Sequence, residues 1–147
     1  MLDHQHDILL YGVSGRGFEL AERYRDLAEL ESLPEGMHSV LTAIADEREA
    51  LMDRFRDTIK SEGGLAKAGN PDREFLESLI DRWAGSLAGL ERIVARLIRA
   101  DHEWCAELET AELDQWPQPL RLIMDELLQH LQRSRERLEQ LDFTSAA

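Results

Sequence analysis

The sequence has one cysteine, Cys105, so no disulfide can form within the chain, and a lone thiol on a helix reads as a small buried hydrophobe. It is also short of basic residues, with 17 Lys and Arg against 30 Asp and Glu and a net charge of −13. Phosphate backbones and anionic lipid heads both need clustered cations, so binding to nucleic acid or to a membrane surface is not expected. No apolar run approaches the roughly 20 residues that span a bilayer. The opening Met1-Leu2-Asp3-His4 lacks the basic-then-apolar pattern of a signal peptide. These absences lead to the expectation of a soluble, cytoplasmic protein. No period-2 alternation and no low-complexity segment is found.

What remains is helical periodicity over a chain of one-domain length, with a hydrophobic fraction of 43%. Leu87, Leu90, Val94, Leu97, Trp104, Leu108 and Ala111 fall at steps of three and four and make one stripe. A second stripe runs through His6, Leu10, Val13, Gly17, Leu20, Tyr24 and Leu27. A third takes Met37, Leu41, Ile44, Arg48, Leu51, Phe55 and Thr58, and a fourth takes Leu120, Met124, Leu127, Leu131, Ser134, Leu138 and Leu141. Pro34, Gly63-Gly64, Asn70-Pro71 and Pro117 punctuate them. The pattern predicts four bundle helices over 3–30, 34–61, 87–113 and 117–142, with a shorter connector helix over 71–84. Gly17 on the first seam implies either a close helix–helix approach or a break near residues 12–17.

Two seam positions are charged, Arg48 and Asp101, each near the middle of its helix. A lone buried charge is costly, so the two are expected to form a buried ion pair. The guanidinium fork suits a carboxylate in two-point contact. The other reading of the polar residues is a metal cluster of Glu47, His102, Glu103, Glu126 and His130, whose ligands would suit iron, manganese or zinc. No serine or cysteine has a plausible base and orienting acid for nucleophilic catalysis.

Equal helices with a connector between the second and third, Gly63-Gly64, Trp83 and Asp101-His102-Glu103 together resemble a family of small bacterial ferritin-like bundles of unknown function. The resemblance implies an all-α, ferritin-like four-helix bundle and no particular activity. Many ferritin-like proteins bind two irons through Glu-x-x-His motifs, and this chain departs from them. Ala50 stands where Glu47 would need a histidine, and Gln129 stands three residues after Glu126, with His130 one step late. No cofactor is therefore expected. Extra apolar residues beside the seams, among them Leu9, Phe18, Leu79, Ile80, Ile93, Ile98 and Ile123, suggest a homodimer or a protein partner.

Overall fold

The computed structural model describes residues 4–30, 33–62, 87–110, 116–141 and 143, with side chains from residue 12 onward except at 35, 87 and 88. The described residues form four α-helices and no strand: α1 (His4–Ala28), α2 (Glu35–Ser61), α3 (Leu87–Thr110) and α4 (Gln118–Glu139). The expected connector helix over 71–84, the Gly63-Gly64 stop and the end of the third helix beyond 110 lie outside the described residues.

Prolines set two of the helix starts. Pro34 and Pro117 stand just before α2 and α4 with φ of −57° and −54°, inside the range the pyrrolidine ring allows. Each turns its carbonyl toward the first turn. Met37 and His38 donate backbone N–H to Pro34, and Leu120 and Arg121 donate to Pro117. First-turn donors that a helix cannot satisfy itself are met in this way.

The two ends of the bundle show how the helices run. At one end Leu27, Met37, Leu90 and Leu138 share a core, which brings together the C-terminal parts of α1 and α4 and the N-terminal parts of α2 and α3. At the other end Val13, Ile59, Leu108 and Leu120 share a second core. Each helix packs on two neighbours, α1 and α4 both lying against α2 and α3. All neighbours are therefore antiparallel, and the diagonal pairs, α1 with α4 and α2 with α3, are parallel. Ser61 closes α2 at one end of the bundle, and Leu87 opens α3 at the other.

Three details differ from the periodic reading. In α2 the buried positions after Arg48 are Met52, Phe55 and Ile59, while Leu51 and Thr58 are only half-buried. A straight helix of 3.6 residues per turn drifts from a strict seven-residue repeat, so the buried face moves on by one residue. Ile93 and Ile123, expected on a flank available for association, lie in the core, with Phe18 and Ile98 packed partly against it. That leaves Leu122 as the one large hydrophobic residue well exposed among those described.

Helix α1 runs through its glycines without a break. A Cβ at Gly12 or Gly15 would meet nothing, whereas one at Gly17 would overlap the Met52 side chain and come within 3.1 Å of the Trp104 ring. Both of those side chains are buried, so the Met52 side chain would have to repack within the core to make room. Gly15→Ala should therefore stabilise the fold by about 1 kcal/mol, the ordinary glycine penalty in a helix. Gly17→Ala should fall below Gly15→Ala by roughly 1–3 kcal/mol through overpacking. Urea unfolding of the two variants side by side checks this difference.

Candidate functional site

Arg48 and Asp101 meet at the junction of the two apolar cores. Arg48 Nη1 donates to Asp101 Oδ1 at 2.7 Å and Nη2 to Oδ2 at 2.9 Å, a two-point contact. The side chains are 0% and 5% exposed. Since α2 and α3 are diagonal partners, this pair crosses the centre of the bundle.

The other diagonal supplies the remaining partners. From α1, the Tyr24 hydroxyl donates to Asp101 Oδ2 at 2.5 Å. From α4, His130 Nε2 accepts the Arg48 Nε–H at 3.1 Å. The guanidinium also lies over the Tyr24 ring, 4.9 Å from its centroid, and 6.0 Å from that of Trp104. All four helices thus contribute to one polar cross-section. Ser134, one turn beyond His130, turns its hydroxyl back to the His130 carbonyl at 2.8 Å, so its buried oxygen is satisfied locally.

The electrostatics follow from burial and mutual contact. Burial disfavours the charged forms of Tyr24, Arg48 and His130 alike. Burial first and then the Asp101 charge push the Tyr24 hydroxyl well above its usual range, so it stays a donor. Burial also works against the Arg48 charge, but Asp101 and Tyr24 more than offset it, and the guanidinium is held above the ordinary arginine value. Burial and the adjacent Arg48 charge lower His130 to about 3. The imidazole is therefore neutral near pH 7.

The proton on that imidazole can be placed. Arg48 can only donate, so Nε2 must present its lone pair, and the single N–H of the neutral ring sits on Nδ1. Nδ1 is buried and has no hydrogen-bond partner; the nearest carboxylate oxygen, Glu47 Oε1, is 3.8 Å away. Glu47 itself is gripped at both oxygens by Arg137, each at 2.8 Å, and this pairing lowers the pKa of its carboxyl.

Of the candidate metal cluster, Glu47, Glu126 and His130 line one cleft between α2 and α4, but the five residues do not converge. His102 and Glu103 follow Asp101 directly, and the helix turns both toward solvent while Asp101 faces inward. Glu126 pairs with Arg54 at 2.8 Å, and Glu47 with Arg137. His130 offers a metal no free lone pair, one ring nitrogen facing Arg48 and the other carrying the proton. Among the described residues, no group of three or more His, Cys, Asp and Glu converges as a metal site. No helix among them is long and apolar enough to cross a membrane.

Chemically, the cross-section satisfies its polar atoms internally except for His130 Nδ1. It holds a charge pair whose carboxylate, Asp101, is engaged by Arg48 and Tyr24 although it also lines a cavity between α3 and α4. Its members from α1 and α4, Tyr24 and His130, were not identified as polar partners from the sequence. Tyr24 looked like one more apolar seam residue. His130 looked one step off a metal motif, although Ile123, Leu127, His130 and Ser134 also follow a spacing of four, three and four.

Truncating one member of a buried pair leaves the other charged and alone. Asp101→Ala should cost roughly 3–5 kcal/mol of stability. Tyr24→Phe, which removes one hydrogen bond to a charged acceptor, should cost about 1.5–3 kcal/mol. Denaturant titration at pH 7 measures both.

His130 makes stability depend on pH with a defined sign. Its folded value of about 3 lies below its unfolded value of 6.5, so the unfolded chain binds the extra proton between those limits. The contribution is complete above pH 6.5 and fades as pH falls toward 3. Its slope is up to about 1.4 kcal/mol per pH unit. His130→Gln, which can still accept from Arg48, should remove that slope. The comparison belongs between pH 6.5 and about 5, above the range where ordinary carboxylates titrate.

Set against protein-family models, curated proteins and solved structures, the chain matches none of them.

Proposed function

We propose that this protein is a non-catalytic bundle, ferritin-like in connectivity, that works by association with itself or with a protein partner. One observation carries the reading: the middle of the core, where a ferritin-like bundle would hold its metals, is filled by Arg48, Asp101, Tyr24 and His130 bonded to one another. A guanidinium in that position repels a divalent cation. A core centre filled by groups that bond to one another supports surface recognition as the working part of the fold.

The ferritin-like part of the proposal rests on topology. Parallel diagonal helices, with α2 closing at one end and α3 opening at the other, call for a connection along the bundle's length. Asn70-Pro71-Asp72 and the apolar spacing of Phe75, Leu76, Leu79, Ile80 and Trp83 suit that connector as a short helix.

Two measurements on untagged protein test the proposal. Iron, manganese and zinc should each be present at well under one equivalent per chain after purification. Sedimentation across micromolar concentrations should show reversible association; a monomer throughout would leave binding to a different protein as the mode of association. Stoichiometric metal that leaves together with His130 or Glu47 variants would overturn the reading.

A further inference from the structure

A cleft of about 340 Å³ opens between α2 and α4, outside the polar cross-section but sharing His130 with it. The wall from α4 carries Glu126, Gln129, His130 and Arg133, and the wall from α2 carries Glu47 and Arg54. Set against the roughly 30 Å³ that a water occupies in the liquid, the space admits a small molecule.

Three observations describe what would fit. The His130 side chain is 1% exposed, and its Nδ1–H, on the ring edge facing Glu47, lacks an acceptor. A buried donor left unpaired is costly, so this position calls for an oxygen. The two carboxylates on the walls are already committed, Glu47 to Arg137 through both oxygens and Glu126 to Arg54. Arg133 lies one turn beyond His130 on the same wall, is exposed, and forms no ion pair with a described residue. The groups without a direct hydrogen-bond or ion-pair partner are thus one neutral donor at the base and one cation at the rim, whose charge also acts on Glu47.

We propose that this cleft is a binding site for a small oxyanion of the phosphate or carboxylate type. One oxygen accepts the His130 Nδ1–H, and the charge faces Arg133. Arg48 holds His130 in the tautomer that makes this contact, so the buried pair prepares the site without touching the ligand. A metal cation is the wrong ligand here, because Nδ1 carries a proton and the carboxylates are neutralised. The proposal does not depend on how the bundle associates.

Nitrogen-15 NMR of the full chain tests it. Inorganic phosphate, and separately acetate, are titrated at constant ionic strength with sodium chloride as the control. Either oxyanion should shift the His130 Nδ1–H signal saturably, and which of the two binds more tightly identifies the type. In Arg133→Gln, an exposed position whose change leaves the amide spectrum intact, binding of the same probe should weaken about tenfold or more. No saturable shift with either probe means that water alone fills the cleft, and the proposal fails. It fails equally if sodium chloride reproduces the shift, or if Arg133→Gln binds as tightly as the parent.

Discussion

A charge pair laid across the diagonal of a four-helix bundle constrains everything around it. Arg48 and Asp101 reach each other only if α2 and α3 lie on opposite corners, run parallel, and keep their midpoints at one height. Slipping either helix by one turn, about 5.4 Å, would strand both charges in apolar surroundings. Leucine and isoleucine contacts on either side tolerate such a slip far better. The two cores supply most of the driving force for folding, and the polar layer between them selects which of many similar packings is adopted.

Tyr24 and His130 extend the same constraint to α1 and α4. An isolated Arg–Asp pair would leave lone pairs and N–H groups unmet. Here the second Asp101 oxygen also takes the Tyr24 hydroxyl, and the third guanidinium nitrogen finds His130. The cost of satisfying Arg48 is transferred outward, to a histidine whose far nitrogen keeps a buried proton without an acceptor. The unmet group thus lies at the edge of the layer, on a residue that lines a cleft. The structural role of His130 and the binding role proposed for it meet in this one side chain.

The four helices and the two charged seam positions are legible in the sequence because period and polarity conflict there: steps of three and four predict apolar residues at 48 and 101, and charges stand in their place. Gly17 also carries its meaning openly, as the place where α1 approaches Met52 closely. Other features are hidden for physical reasons. Met52 and Ile59 replace Leu51 and Thr58 because a straight helix does not keep a seven-residue repeat. Ile93 and Ile123 look like surplus surface but widen the buried face of their helices. His130 is ambiguous, since the same spacing fits a ligand, a surface residue and a core acceptor; its partner, not its period, decides. Helix order around the bundle could not be read at all, and it is this order that makes the Arg48–Asp101 contact a diagonal one.

The central claim is that Arg48 and Asp101 act as a unit whose value lies in their mutual contact. A double-mutant cycle with Arg48→Leu, Asp101→Leu and the double variant, followed by denaturant unfolding, measures it most directly. Each single change strands a charge and should be strongly destabilising, whereas the double change replaces both by apolar groups of similar reach and should recover much of the loss. A coupling energy of roughly 3 kcal/mol or more, with the double variant more stable than either single one, is the predicted result. Additive losses, leaving the double variant the least stable of the three, would contradict the account.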